Sequence, residues 1–142
     1  MRSSSPIILL SILFASLFPL SLARVASITL DSNTAIPGQN ISVTVTSYSH
    51  IQNWDDFGIV WGLLRDDNGD CVECVGMEIG YENLYGNNTL GNTTYSLQLP
   101  NTTTGAYYLK AAVPHLVGAS GSTGINYFNQ SLNLVSNAKM RT

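Results

Sequence analysis

The stretch GAYYLKAAVP, residues 105–114, decides the fold that the sequence predicts. Apolar side chains recur at every second position along it, and a period of two is typical of a strand with one buried face. It opens with Gly105-Ala106-Tyr107, and Leu109 follows two residues later. In immunoglobulin-like sandwiches a tyrosine stands two residues before a core cysteine, and its hydroxyl binds the backbone just upstream. We therefore predict the sixth strand of such a sandwich, with Leu109 in the cysteine position.

The same alternation occurs in segments before and after this strand. It predicts the following inward faces: Ile41, Val43 and Val45; Phe57, Ile59, Trp61 and Leu63; Tyr95, Leu97 and Leu99; Phe128, Leu132 and Leu134. The segments ASITL (26–30) and CVGMEIGY (74–81) bring the count to about seven strands. The predicted fold class is all-β, a small immunoglobulin-like antiparallel β-sandwich after a signal peptide. Trp61 would lie in the middle of its third strand.

The N-terminus has the three parts of a secretory signal peptide. These parts are a basic start, an apolar run and a small-residue ending at Ser21-Leu22-Ala23. We expect cleavage after Ala23, with Ala26 as the alternative site. No later stretch is long and apolar enough to span a bilayer, so we expect no membrane span in the mature protein. We also expect the secreted protein to be a monomer. The predicted domains are a signal peptide at 1–23, one β-sandwich domain at 24–135 and a polar tail at 136–142.

Five Asn-x-Ser/Thr sequons fit passage through a eukaryotic secretory pathway, where they would be N-glycosylated. Asn40 and Asn129 share the parity of the polar residues in their strands, so a glycan there would point to solvent. The acceptor asparagines are Asn40, Asn87, Asn92, Asn101 and Asn129.

The net charge is −3 at pH 7, and no basic stripe is present, so nucleic-acid binding is not expected. Eight acids are concentrated in one segment, opposed there only by Arg65: Asp55, Asp56, Asp66, Asp67, Asp70, Glu73, Glu78 and Glu82. We interpret them as solvated hairpin turns, with a negative patch for a basic partner as the alternative. Asn68-Gly69 is expected to form the tight turn of a hairpin.

Cys71 and Cys74 are the only cysteines, and they form a C-x-x-C pair. Export into an oxidising compartment favours a disulfide between them, with free or intermolecular thiols as the alternative. Three residues of strand span about 10 Å, whereas a disulfide needs Cα atoms within about 7 Å, so a bridge requires a turn. A redox site would need a helix N-terminus, and a metal site would need further ligands.

No constellation of catalytic residues is evident. His50 and His115 are interpreted as loop residues outside any metal-binding motif. GASGSTG (118–124) lacks the Lys-Ser/Thr ending of a phosphate loop and is interpreted as a flexible connection. No G-x-S-x-G elbow supports a serine nucleophile. We therefore predict no enzyme activity, no cofactor and no metal site.

Several motifs, taken in order, resemble the fungal necrosis-inducing secreted protein effectors. They lie in the second strand, around the third strand, in the sixth strand with the connection after it, and at the start of the last strand. The matching segments are Gly38 to Thr46, Ile51-Gln52 with Gly62-Leu63, Ala111 to Val113 with Leu116 to Ser120, and Phe128 to Ser131.

The resemblance implies a virulence effector of a plant-associated fungus that is secreted and then enters the host cytoplasm. Members of that family bind host receptor-like kinases and receptor-like cytoplasmic kinases, suppress their activity and hence pattern-triggered immunity, and some cause cell death. Fold analogy alone offers a secreted cell-wall or glycan-binding module, or a small hydrolase, as alternatives. A flat exposed face bearing three of Tyr48, Tyr81, Tyr85 and Tyr108 would favour the glycan-binding module.

Overall fold

The structure, a computed structural model, describes residues 23–69 and 71–138. The predicted signal peptide lies outside them except for Ala23, as do Asp70 and residues 139–142 of the predicted tail. The described residues form nine strands and one short 3-10 helix. In chain order the strands are β1 Ala23–Leu30, β2 Thr34–Ala35, β3 Asn40–Ser49, β4 Trp54–Asp56, β5 Gly58–Arg65, β6 Met77–Asn83, β7 Gly91–Gln98, β8 Gly105–Val117 and β9 Ser122–Leu134.

The strands form two sheets. One has three antiparallel strands in the order β1-β3-β7. The larger sheet has the order β2-β9-β8-β5-β6, and only the short β2–β9 pairing in it is parallel among the described strands. When the short strands β2 and β4 are left aside, the first, second and fifth strands of the domain are β1, β3 and β7, and the seventh, sixth and third are β9, β8 and β5. A sheet of the first set packed against a sheet of the second is the immunoglobulin-like arrangement. The predicted fold class is confirmed.

The count exceeds about seven because two of the strands are short additions. β2 is a two-residue pairing along β9, and β4 pairs with the far end of β8 in line with β5. Phe57 interrupts that line: its amide donates to the Pro114 carbonyl at 2.9 Å. Its own carbonyl accepts from the amides of Leu84 and Tyr85 at 3.1 and 3.2 Å.

The core lies between the sheets and includes most of the side chains that the alternation predicts, together with Val25, Ala35 and Leu84. Trp61 and Leu109 are fully buried at its centre, so apolar packing fills the place of an inter-sheet disulfide. Of the predicted inward residues, Phe57, Tyr95 and Phe128 are only partly buried. The hydroxyl of Tyr107 donates to the Thr103 carbonyl at 2.9 Å, which is the tyrosine corner that the sequence predicts.

The prediction that Asn68-Gly69 forms a tight hairpin turn is wrong. β5 and β6 are joined by residues 66–76, called the disulfide loop below, which starts with the 3-10 helix Asp66–Asn68. Gly69 only ends that helix, with φ at +81°. The connection is long because it folds back over the larger sheet, and a Cβ at Gly62 in β5 would overlap the Val75 carbonyl.

Candidate functional site

Side chains from three strands and one loop meet around Trp54 at one end of the sandwich. The guanidinium of Arg24 in β1 lies 4.4 Å from the Trp54 ring centre, and the ring of His115 in β8 stacks on it at 4.2 Å. His50, just after β3, lies tilted at 4.8 Å. With Asp56 these residues form the Trp54 cluster. Trp54 is 6% exposed, so its ring is the buried centre on which the other side chains pack.

Asp56 supplies a buried carboxylate to this cluster. Its oxygens accept from the Val25 amide at 2.7 Å, the Trp54 indole at 2.7 Å and the Asn88 amide at 3.1 Å. Burial raises the pKa of Asp56 above its ordinary value, while these hydrogen bonds and the nearby His115 and Arg24 oppose the rise. The carboxylate thus ties β1, β4 and the loop before β7 together.

The prediction that both histidines are loop residues is wrong for His115, which lies in β8 and is buried. Its strand partner is Gly124 in β9, and a Cβ there would lie 2.9 Å from Nε2. Glycine at this position therefore leaves room for the imidazole ring. The sequence predicts only a flexible connection for GASGSTG, whereas its last residue, Gly124, provides the space that His115 occupies in the cluster.

Three exposed apolar residues are neighbours of the Trp54 cluster along the chain or along a strand. Tyr48 is 65% exposed at the end of β3, Ile51 is 98% exposed in the loop after it, and Ile125 is 50% exposed in β9. We call the cluster together with these three residues the Trp54 end. Solvent-facing aliphatic and aromatic side chains beside a buried tryptophan are typical of protein-binding surfaces.

A cavity of about 390 Å³ opens at the Trp54 end between β1 and β9. Arg24, His50 and Asn126 are among the residues that line it. A larger and more open depression, of about 840 Å³, lies elsewhere between the loops around Pro37 and Pro100, and the sequon residue Asn101 lines it. The smaller cavity adjoins the Trp54 cluster through Arg24 and His50, which makes it the candidate ligand site.

Cys71 and Cys74 are joined by a disulfide across a turn, with Cα atoms 5.6 Å apart. The loop that carries them covers the outer face of the larger sheet. There the ammonium of Lys110 in β8 donates to the Cys71 carbonyl at 2.9 Å, and Lys110 is only 3% exposed. The disulfide loop therefore holds a buried lysine against the sheet.

One acidic side chain, that of Asp56, does not fit the prediction that the acids of this segment are exposed to solvent. Asp56 is buried, whereas most of the other acids of that segment are exposed, and Asp70 lies outside the described residues. The cations of the described chain are engaged: Arg24 with Trp54, Arg65 with Asp67 at 2.8 Å, and Lys110 with Cys71. The charge left on the described surface is therefore mainly negative.

The five sequon asparagines are exposed, so each is accessible for glycosylation. Asn129 faces the same side of the larger sheet as Lys110, its partner in the β8–β9 register. A glycan on Asn129 would therefore stand beside the disulfide loop and away from the Trp54 end.

Two further features are absent from residues 23–69 and 71–138. Within them no group of three or more His, Cys, Asp or Glu side chains is placed to hold a metal ion. No helix in this part of the chain is long and apolar enough to cross a membrane.

The exposed tyrosines are divided between the sheets. Tyr48 belongs to the three-stranded sheet, whereas Tyr81 and Tyr108 belong to the larger one. Tyr81 is turned onto its own sheet, since its hydroxyl donates to the Phe57 carbonyl at 3.3 Å and its ring lies against Gly58. Tyr108 is only partly exposed. Tyr85 is 63% exposed, and its ring lies 5.7 Å from that of Phe57. Because Tyr48 is on the other sheet, the four tyrosines do not form one exposed face.

Comparison with known families gives a match over most of the chain. The Nis1 family matches residues 21–133, a span that includes every strand of the sandwich except the last residue of β9. The chain belongs to the Nis1 family. Membership in the Nis1 family agrees with the resemblance to necrosis-inducing secreted effectors and with a secreted protein.

Solved structures and curated proteins add little to the Nis1 family assignment. A superoxide reductase (neelaredoxin) from Ignicoccus hospitalis aligns with 10% identity and a TM-score of 0.49, over 78% of this chain and 82% of that one. The Yersinia pseudotuberculosis adhesin InvE aligns with 13% identity and a TM-score of 0.37, over 82% of this chain and 33% of that one. These similarities support no inference about function. No curated protein matches the chain.

Sequence reasoning missed most of the Trp54 cluster. The segment NWDD contains one usable signal, since Trp54 and Asp56 are two residues apart and so share a face in a strand. Arg24 and His115 have no such signal, because they come from strands distant in the chain and meet Trp54 only after the sheets pack.

Proposed function

We propose that this Nis1 family protein is a secreted virulence effector of a plant-associated fungus that binds and inhibits host immune kinases. Its targets are receptor-like kinases and receptor-like cytoplasmic kinases, and inhibition suppresses pattern-triggered immunity, with host cell death as a further outcome. The family match over residues 21–133 carries the effector assignment. The kinase target follows from the sequence resemblance.

The Trp54 end supports an action by binding. Tyr48 lines the cavity with Arg24, and Ile51 directly follows His50, so both expose apolar surface near a tryptophan and an arginine that are already held in place. Tyrosine and arginine are enriched among the residues that dominate binding energy, and a surface held in place by the buried Trp54 ring loses less side-chain entropy on binding. We propose that this end covers a kinase surface and so blocks access to it.

The charge distribution supports a partner with a basic surface. The described cations have partners within the chain. Exposed acids such as Asp55, next to the Trp54 end, therefore present negative charge to a binding partner. Complementary potentials raise the association rate and reject partners of like charge. In the host cytoplasm glutathione would reduce the Cys71–Cys74 disulfide, and we propose that the working surface does not depend on it.

A binding screen tests the proposed function. The secreted protein would be incubated with a panel of plant receptor-like and receptor-like cytoplasmic kinase domains, with chitin and fungal glucan in parallel. We expect retention by at least one kinase domain and a dose-dependent fall in its autophosphorylation. Binding to chitin or glucan with no effect on any kinase would contradict the proposal and support the glycan-binding alternative.

A further inference from the structure

Two residues that line the cavity between β1 and β9 carry buried donors without a hydrogen-bond partner among the described residues. The Nε of Arg24 and the Nδ2 of Asn126 are buried, and each lacks a hydrogen-bond partner within residues 23–69 and 71–138. Both residues line the 390 Å³ cavity. A third such atom, Nε1 of Trp61, belongs to the core. Because nearly all buried polar groups in proteins are paired, two orphan donors in one cavity indicate a missing acceptor.

The charge of the cavity favours an anionic acceptor. Arg24 is a lining residue, and none of the nine lining residues is acidic although the chain as a whole is. The carboxylate of nearby Asp56 is already engaged by Val25, Trp54 and Asn88. If cleavage occurs after Ala23 as predicted, the α-ammonium of Arg24 adds a second positive charge to a lining residue.

The remaining walls are rich in rings. Tyr48, His50, Tyr127 and Phe128 line the cavity beside Arg24 and Asn126. A volume of about 390 Å³ lies within the range of small-ligand pockets, roughly 300–1,000 Å³. Rings recognise a flat apolar group, whereas the arginine and amide N–H groups recognise its oxygens.

We propose that this cavity is a binding site for an aromatic group that carries an oxyanion, such as an aryl phosphate or an aryl carboxylate. The Arg24 guanidinium and the Asn126 amide donate to the oxyanion, and the surrounding rings contact the aromatic part. The ligand is either a free small molecule or a phosphorylated aromatic side chain of a protein. The cavity shares Arg24, Tyr48 and His50 with the Trp54 end, so it adjoins the proposed kinase-binding surface, but its test uses no kinase.

The test is a nuclear magnetic resonance titration of the isotope-labelled protein purified from the culture medium after secretion. The Arg24 Nε–Hε and Asn126 Nδ2–H₂ signals report on the two donors, and the Arg65 Nε–Hε signal is the internal control. Phenyl phosphate and benzoate are compared with inorganic phosphate, which has no ring, and p-cresol, which has no oxyanion. A phosphotyrosine peptide and its unphosphorylated form distinguish the two ligand sources.

We expect phenyl phosphate to shift both donor signals saturably, with a Kd on the order of 1 mM, and to leave Arg65 unchanged. Inorganic phosphate and p-cresol should each bind at least tenfold more weakly. Tighter binding of the phosphotyrosine peptide than of phenyl phosphate assigns the site to a protein side chain, and weaker binding assigns it to a free ligand. Equal shifts from p-cresol, or shifts of Arg65 as large as those of Arg24, would overturn the proposal.

Two variants test the assigned donors, and the amide spectrum of each separates a loss of binding from a loss of folding. Arg24→Gln removes the cation and Asn126→Ala removes the amide, and each should weaken phenyl phosphate binding by about tenfold. Arg65→Gln, at the other end of β5, is the matched control and should bind as the unchanged protein does. The amide spectrum of each variant reports whether it is folded. If Asn126→Ala folds and binds with unchanged affinity, the assigned donors are wrong.

Discussion

Tyr107 ties the start of β8 to the turn before it through a single hydroxyl. That hydroxyl donates to the Thr103 carbonyl at 2.9 Å, and the hydroxyls of Thr102 and Thr103 lie within 3.3 Å. These two side-chain hydrogen bonds lower the pKa of Tyr107. At the residue scale, local contacts of this kind were predictable, because Gly-x-Tyr two residues before a core position is a local pattern.

Replacing Tyr107 with phenylalanine tests the tyrosine corner. Tyr107→Phe should lower the free energy of unfolding by about 1 kcal/mol, because the ring stays and the hydrogen bond to Thr103 is lost. Urea denaturation measures the change. Tyr95→Phe is the matched control, since the Tyr95 ring is half buried and its hydroxyl has no hydrogen bond to the described residues. Equal losses in the two variants would contradict the assigned role of the Tyr107 hydroxyl.

Asp56 predicts a pH dependence of stability with a defined sign. Its pKa in the folded protein lies above its ordinary value of 3.8, mainly because of burial. The folded state therefore holds the proton to higher pH than the unfolded state does, so this group's contribution to stability falls as pH rises from about 4 through the folded pKa. Asp56→Asn cannot ionise and lacks this dependence.

The measurement is the free energy of unfolding of the two proteins by urea from pH 4 to pH 8. Asp56→Asn should be less stable throughout, because its amide replaces an oxygen that accepts hydrogen bonds. The stability advantage of the unchanged protein should shrink as pH rises. An advantage that grows with pH would show that the folded pKa of Asp56 lies below its unfolded value.

At the scale of elements, the strands were predictable and the covering of the larger sheet was not. The alternation in β3, β5, β7 and β8 correctly separated inward from outward side chains. It placed Lys110 outward, where a lysine is expected in solvent, yet the disulfide loop buries it. No local pattern encodes this contact, because the loop and β8 are distant in the chain and meet only through tertiary packing.

Gly62 gives the most direct test of how the disulfide loop packs. Gly62→Ala should lower the free energy of unfolding by about 1–3 kcal/mol, because a Cβ there overlaps the Val75 backbone. Gly80→Ala in β6 is the matched control, since its Cβ would lie 3.7 Å from Leu97 at ordinary contact distance. Gly80→Ala should change stability by less than about 0.5 kcal/mol. Similar unfolding curves for the two variants would mean that the loop does not rest on β5.

The disulfide itself should matter more for the loop than for function. The double change Cys71→Ser with Cys74→Ser should cost about 2 kcal/mol at most, because so short a loop constrains the unfolded chain little. Secreted yield should fall modestly and kinase inhibition should be unchanged. Labelling of Lys110 by an amine reagent, read by mass spectrometry against Lys139, should increase as its cover loosens. Lost inhibition with an unchanged melting temperature would place the cysteines in the working surface.

At the scale of the whole molecule, the sandwich separates two features at opposite ends of β5. The disulfide loop follows Arg65, and the Trp54 end lies beyond Gly58. The sequence predicted the architecture that creates this separation, since sheet order follows from strand pattern and fold class. It did not predict the Trp54 end, because that end is assembled from β1, β3, β4, β8 and β9 only after the sheets pack.

The central claim is that the Trp54 end is the surface that binds a host kinase. Ile51 and Val72 make a matched pair for testing it, since both are exposed aliphatic residues in loops, at 98% and 63%, and Val72 lies away from the Trp54 end, in the disulfide loop on the outer face of the larger sheet. Calorimetric titration of a responsive kinase domain with Ile51→Ser, Val72→Ser and the unchanged protein is the most direct measurement. We predict that Ile51→Ser weakens binding by about 5- to 30-fold, equivalent to about 1–2 kcal/mol, and that Val72→Ser binds within about twofold of the unchanged protein. Unchanged affinity of Ile51→Ser together with a loss in Val72→Ser would contradict the claim and move the binding surface to the disulfide loop.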